Sequence, residues 1–580
     1  MNNLSVAHAL VRAVSRLILT PFQRRNTSVD TSARATSRWA VGLLILSPTL
    51  LPADSIPVPA WVSRRFNPET VQVSDVTGIS ERIRSGKLNL MLKDFLELVL
   101  KNSTDINLTR MDVYTAADQI KAAQAVFDPA VALGFNTLRA TLPQVSQTGG
   151  ASTLSSLTEN SSVNYQELLP TGQTANAGFF ATRSSSNSEF NIVNPNISGQ
   201  LSFSFTQPLL QNRNGIQFKA PIRIARTQLT ITSKQDEAHI ADLIASAAGQ
   251  YWDAVRARDN IKVLQQTLDL AQKSYERDKQ ALDLGALASL DIYQSQTQVA
   301  QRATDLVQAQ YAYRAALDAL RRLIGADLTP EWRATEIVIE DDPSKVPDRA
   351  SILPYEEALT AAMRLRPELD AAHRRLTIDD LSARVARNLM LPHLDLTVQG
   401  QAAGLGGNQV AVTSPLGITT AAVPGGLPQA LGQVFAFNAP GYGAGLQLTL
   451  PFKSTAAGAQ LADALVSRTR DRYTERQVQQ QIIQDVRQAL TSIDLANASI
   501  ESATRTRDLA QKNVEAEQQK YELGTITAFE VLDSQTRLAT AESSLLNAFV
   551  GYQEAYVSYQ RATWTLLDGL GMVLETPKVN

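Results

Sequence analysis

The chain has 580 residues, a formal net charge of -2 and no cysteine. The near-balanced charge leaves no electrostatic footprint for nucleic acid. The missing thiols exclude disulfides, thiolate metal sites, cysteine nucleophiles and a lipidated N-terminal cysteine.

No run of 18 or more apolar residues occurs, so the sequence offers no membrane-spanning helix. Residues 1–60 are basic and then apolar: Arg24, Arg25, Arg34 and Arg38 precede Trp39 to Leu46, and Ala53 and Ala60 follow. This pattern predicts an export signal with a long basic leader, cleaved near Val58-Pro-Ala60.

Residues 61–330 are expected to form a first structural repeat. From about Leu90 to Phe127 the apolar spacing is helical, with a break at Asn102-Ser-Thr-Asp105, and Asp128-Pro129 closes it. Alternation then predicts a strand at 131–140. A stretch rich in Ser, Thr, Asn and Gly follows, with strand-like pieces around 161–165 and 175–183, before Leu201 to Thr206 alternates strictly as a second strand at 201–207. A helical hairpin is predicted at 221–324, with its first arm starting near Pro221 and running without a stop to Gly285, which implies a helix of roughly 95 Å. Val299, Leu306, Tyr313 and Leu320 form one seam of the return arm.

Pro330, Pro343, Pro347 and Pro354 mark a linker over 331–354. The second repeat, 355–580, is expected to hold helices up to Leu391, strands at 393–400 and 442–450 around a Gly/Pro-rich loop, and a hairpin at about 455–570. In that hairpin Val486, Ile493, Ile500, Val514 and Tyr521 recur at multiples of seven, with Ala489, Ala496, Ala503 and Ala510 beside them. This is a coiled-coil seam with alanine on one side. Leu538, Leu545, Tyr552, Tyr559 and Leu566 continue it in the return arm. Between the arms Gly524 can take a positive φ, and Thr525 or Thr527 can cap the next helix.

The two hairpins are related by a shift of 239 residues. Ala271-Gln-Lys aligns with Ala510-Gln-Lys, Leu284-Gly285 with Leu523-Gly524 and Ser295-Gln-Thr with Ser534-Gln-Thr; 11 of the 30 positions from Ala271 to Ala300 are identical. An internal duplication of this kind predicts two similar hairpins in a pseudo-symmetric architecture.

Four strands with apolar residues on one face and polar ones on the other, together with an export signal, read as pieces of an outer-membrane barrel. Lipid tolerates no open sheet edge, and four strands cannot close a barrel, so the chain is expected to oligomerise. The order helix, strand pair, long helix, glycine tip and return helix occurs twice. With Tyr521-x-x-Gly524 and Glu530-Val-Leu-Asp533 at one tip, and Gly285 and Leu290-Asp291 at the other, it resembles the TolC-like outer-membrane efflux protein family over residues 88 to 572.

That resemblance implies a mixed fold, an all-α coiled-coil barrel plus a membrane β-barrel. In a homotrimer it would form a 12-stranded barrel in outer-membrane lipid continued by a 12-helix periplasmic tunnel. It implies a passive exit duct for efflux or type I secretion, opened by a periplasmic adaptor protein and an inner-membrane transporter, without enzymatic activity, cofactor or nucleic acid. It also implies that Tyr521 and Asp291 hold the periplasmic end closed, that Glu530 and Asp533 ring the entrance, and that Gly285, Ala286, Leu287, Gly524, Thr525 and Ile526 dock the adaptor. Ile526 departs from those family members that carry a basic gate residue there.

Glu530 and Asp533 share one helix face by spacing alone, and threefold symmetry would stack them into two carboxylate rings whose mutual repulsion raises their pKa. Without symmetry they read as a solvated face near a helix cap. His8, His239, His373 and His393 show no ligand spacing, so no metal site is expected. Gly404-Leu-Gly-Gly lies in a loop after a strand and lacks the following helix that a phosphate site needs. A soluble exported coiled-coil scaffold is the alternative reading; it accounts for the heptads but not for the alternating strands or the export signal.

Overall fold

Two 68-residue helices, each about 102 Å long at the standard rise, dominate the computed structural model. It describes residues 72–73, 75–84, 86–143, 153–188, 190–284, 292–333, 335–347, 352–413 and 419–572. The expected export signal, Gly285, Ala286, Leu287 and Asp291 lie outside the described residues.

In chain order the first half contains β1 (Lys87–Leu90), α1 (Leu92–Asn102), α2 (Thr104–Gln124), β2 (Ala130–Pro143), β3 (Thr153–Leu168), β4 (Thr174–Ser186), β5 (Val193–Pro208), α3 (Ile216–Asp283) and α4 (Ile292–Leu323). The second half contains β6 (Glu336–Ile339), α5 (Tyr355–Leu365), α6 (Pro367–Leu389), β7 (His393–Gln409), α7 (Leu427–Phe435), β8 (Pro440–Thr449), α8 (Thr455–Glu522) and α9 (Ala528–Ala562).

The helices form four columns. α2 near the sheet and α4 near the tip both pack along α3, while α6 and α9 pack in the same way along α8. The alternating large and small heptad positions explain the fit. Val486, Ile493, Tyr552 and Tyr559 are buried in one cluster with Ala489 and Ala555, whose small side chains let the axes approach. α3 starts at Ile216, five residues before the expected Pro221. Gly215, at φ 63°, breaks the chain direction there, and Pro221 inside the helix removes only the one backbone bond that its missing N–H would have made.

A short sheet packs as a belt against the helices partway along. β1 pairs in parallel with β6, so the stretch expected to be a bare linker contributes a strand. Its pattern of alternating burial was hidden by the prolines that flank it. Phe95, Tyr251, Trp252, Val255, Ile337 and Ile339 share the core beneath it. The Asp341 carboxylate accepts hydrogen bonds from the Leu92 backbone N–H and the Tyr251 hydroxyl, both at 2.6 Å. Arg258 donates to the Ile339 and Asp341 carbonyls at 2.8 and 2.7 Å. Burying the Tyr251 hydroxyl and aiming it at a carboxylate raises its pKa far above the ordinary value.

The large sheet has six antiparallel strands in the order β8-β7-β5-β4-β3-β2. The expected number was four. The Ser/Thr/Asn-rich stretch supplies β3 and β4, because its small polar side chains occupy one face of the sheet while Val163, Tyr165, Phe179 and Ala181 occupy the other. β7 also runs nine residues beyond its expected end at 400. Gly404 and Gly406 therefore lie in a strand rather than a loop; a Cβ at Gly404 would come within 2.1 Å of the Ala430 carbonyl oxygen in α7, and one at Gly406 within 2.2 Å of the Gly426 carbonyl oxygen just before it. Glycine here makes room for a helix seated on the sheet.

Candidate functional site

The site grows from the turn between α8 and α9. Gly524 has φ 72°, its N–H donates to the Tyr521 carbonyl at 2.9 Å, and the Thr525 N–H donates to the Lys520 carbonyl at 3.0 Å. This pair of bonds is a Schellman ending, which glycine makes without a Cβ penalty. Thr527 then caps α9 in a capping box with Glu530. Around this turn Leu523, 78% exposed, and Phe529 project apolar side chains into solvent.

One to two turns above the tip, three helices meet at a carboxylate. Asp278 of α3 is 1% exposed. The Tyr521 hydroxyl of α8 donates to its Oδ1 at 3.0 Å, and the Ser295 hydroxyl of α4 donates to its Oδ2. The Arg277 guanidinium lies 4.5 Å from the Tyr521 ring centroid, a cation–π contact on the same seam. Beside it Gln535 of α9 donates to the Ser274 hydroxyl at 3.3 Å, and Arg302 of α4 donates to the Thr536 hydroxyl at 2.6 Å. Polar contacts thus tie both hairpins together in the region where sequence reasoning expected the closure.

Tyr521 takes part in this seam, but the carboxylate that receives it is Asp278. The sequence reading passed over Asp278. Two signals pointed to it. Asp278 follows Ala271 by seven residues, so an acid occupies a core position of the heptad. The Ser295-Gln-Thr and Ser534-Gln-Thr matches, read only as marks of duplication, place Ser295 and Ser534 among the buried residues.

The two other acids are engaged locally. The Glu530 carboxylate accepts the Thr527 backbone N–H at 3.2 Å as part of the capping box, and Asp533 pairs with Arg537 at 2.9 Å one turn on. Ile526 is half-buried in the turn.

Farther up, Asp379 of α6 faces Asp471 of α8. Burial, then the neighbouring Asp471 and Asp380 charges, push its pKa from the ordinary aspartate value to about 6, against the opposing pull of Arg470. Among the described residues no group of three or more His, Asp or Glu side chains is arranged to hold a metal ion, and no helix is long and apolar enough to cross a membrane.

The sheet supplies the membrane chemistry. Register places Val131, Leu133 and Phe135 on one face with Tyr165, Val163, Phe179, Leu201, Phe203, Val398, Leu446 and Leu448, and many of these are exposed. The opposite face is polar: Gln200 donates to Gln401 at 2.8 Å, Thr182 to Asn160 at 2.9 Å and Asn176 to Ser204 at 3.3 Å. A sheet with one apolar and one polar face, mounted on long helical hairpins, has the pattern of a barrel wall continued by helices.

The comparisons agree with this class. A model of the outer membrane efflux protein family matches residues 95–326 and 358–563, and the chain belongs to that family. The outer membrane protein TolC of Escherichia coli is 23% identical over 325 residues, 56% of this chain and 62% of TolC, so less than two thirds of that relative is matched. Among solved structures, VceC, an outer membrane protein of Vibrio cholerae, superposes with a TM-score of 0.56 at 15% identity, covering 83% of this chain and 97% of VceC. The CmeC outer membrane channel of Campylobacter jejuni gives a TM-score of 0.55 at 14% identity, covering 88% and 95%. At such identities the structural likeness speaks to the fold.

Proposed function

We propose that this chain is the subunit of a homotrimeric exit duct. It stands in the outer membrane, extends into the periplasm, and is opened by a periplasmic adaptor and an inner-membrane transporter for efflux or type I secretion. The observation that carries the reading is the family match over both halves of a chain whose sheet is amphipathic. Two features support self-association. Among the described residues both edges of the sheet are unpaired, and Leu495 and Leu509 of α8, with Leu523 just past its end, form a second, exposed heptad row. Four helix columns per subunit make a tunnel of about twelve in a trimer. The expected barrel of 12 strands rested on four per chain, whereas the sheet has six.

The Tyr521–Asp278–Ser295 contacts act as a latch on the periplasmic end, with Asp291 as a further candidate in the same region. Glu530 and Asp533 line the entrance in this reading. Asp533 carries its own arginine, so its ring is a ring of ion pairs and attracts cations less than six bare carboxylates would. The tips at Gly285, Ala286, Leu287, Gly524, Thr525 and Ile526, joined by the exposed Leu523 and Phe529, dock the adaptor. A soluble scaffold is disfavoured because Leu133, Phe135 and Tyr442, the last 92% exposed, would stand in water.

The test is fractionation of the full-length protein expressed in a Gram-negative host, followed by sizing. A trimer that requires detergent and cofractionates with outer membranes is expected. A soluble monomer or fibre would overturn the reading.

A further inference from the structure

Among the described residues each outer strand of the six-stranded sheet bonds on one side only: β2 pairs with β3, and β8 with β7. The bare edges are not protected in the usual ways. β2 carries Val131, Leu133 and Phe135, and β8 carries Tyr442, Leu446 and Leu448, so both edge strands bring apolar side chains to the face that meets lipid. In hydrocarbon an unpaired backbone edge costs several kcal/mol per group, and only closure removes it. The partner must therefore be another strand with the same lipid-facing pattern, and a second copy of this chain supplies one.

We propose that β2 of each subunit pairs with β8 of the next, so that three copies close a barrel of eighteen strands rather than twelve. This rests on the trimeric duct proposed above and makes its membrane segment specific.

The hairpin β3–β4 belongs to the wall. Its strands are in continuous register with both neighbours, Leu133 opposite Val163, Val163 opposite Phe179 and Phe179 opposite Leu201. Its polar and apolar faces match theirs, as lipid outside and water inside require. Its turn is docked. The Leu169 N–H donates to the Gln173 carbonyl at 2.8 Å, and Gly172 fits so closely under the start of α3 that a Cβ would lie 2.8 Å from the Asn212 carbonyl oxygen. A hairpin that hung outside the barrel would have no reason for this fit.

Width points the same way. Six strands about 4.8 Å apart and tilted by about 40° occupy roughly 38 Å of circumference per subunit, whereas four occupy roughly 25 Å. Four helix columns at roughly 9 Å take up about 36 Å. Six strands therefore continue the helical wall at nearly constant girth, and four would need a funnel between them. Because barrel diameter grows about linearly with strand number, the eighteen-stranded lumen is about 1.5 times as wide as a twelve-stranded one.

The absence of cysteine makes disulfide mapping clean, since the introduced pairs are the only thiols. Full-length protein would be extracted from outer membranes, sized, and oxidised. Leu133→Cys with Val163→Cys, and Phe179→Cys with Leu201→Cys, are expected to close within a chain. Leu133→Cys combined with cysteines walked from Tyr442 to Leu448 is expected to give covalent trimers on denaturing gels at one register. A Leu133→Cys/Leu201→Cys disulfide in an intact trimer would mean that β2 pairs β5 directly and the hairpin lies outside; that outcome overturns eighteen strands and leaves the duct standing. Trimers in which no β2–β8 position links overturn the edge pairing, and a soluble monomer overturns both readings.

Discussion

At the residue scale, the most informative group is Asp278, a carboxylate at a coiled-coil core position with hydroxyl donors from two other helices. Burying a charge is tolerated only when it is well bonded, so removing a donor is costly. Tyr521→Phe takes away one of the polar contacts that join the two hairpins and should weaken the closed end by about 1–3 kcal/mol. We expect a higher resting conductance in planar bilayers; conductance equal to wild type would remove Tyr521 from the latch. Asp379 gives a pH signature. Its folded pKa of about 6 lies above the unfolded value, so the folded state holds the extra proton between them. The stabilisation is present at acidic pH and is lost as pH rises through about 6. Thermal unfolding should therefore occur at lower temperature near about pH 8 than near about pH 5, with a contribution on the order of 2 kcal/mol. Asp379→Asn should flatten that slope, and an unchanged slope would assign it to other groups. Asp379 was not legible from type and spacing, and for Asp278 the heptad spacing marked a core position without naming its partners. A lone Asp in a heptad reads as a solvated helix residue until its neighbours on other helices are known, whereas Tyr521 stood out because it sits beside a glycine turn.

At the element scale, the long helices were legible because their signals are local and repeated. Val486 and Ile493 recur every seven residues and are buried, and Gly524 takes the positive φ that its place between two periodic runs demands. β3 and β4 were not recognised as full strands because Ser and Asn of the polar face alternate with small apolar residues, and that weak contrast resembles a polar loop. The belt strand β6 was missed because it is four residues long and its partner, β1, is far away in sequence. The tip offers a prediction that separates strain from docking. Gly524→Ala and Gly524→Asp both strain the left-handed backbone, by about 1–2 kcal/mol, but only the second adds a charge beside Leu523 and Phe529. Export of a reporter dye should fall sharply in the aspartate variant, remain in the alanine variant, and trimers should form in both. Equal export from the two would exclude the tip as a docking surface.

At the scale of the whole molecule, the proposed trimer joins the sheet edges and the helix columns of neighbouring copies at once. Substituting Leu509→Lys places a charge in the exposed heptad row of α8 and should shift sizing profiles from trimer toward monomer while far-ultraviolet circular dichroism stays helical; an unchanged trimer would free that row from the interface. The parallel pairing of β1 with β6 has a kinetic consequence. Leu92 and Asp341, which meet beside that pair, are separated by 249 residues. Closing a loop of that length costs about 5 kcal/mol of chain entropy before any contact offsets it. A chain delivered from its N-terminus can zip its first hairpin early, yet it must keep the Phe95 side of α1 uncovered until Ile337 and Ile339 arrive. The clasp is thus the late step of folding, and truncation before Glu336 should leave a protease-sensitive species whose first long helix and its return arm have formed but whose belt has not.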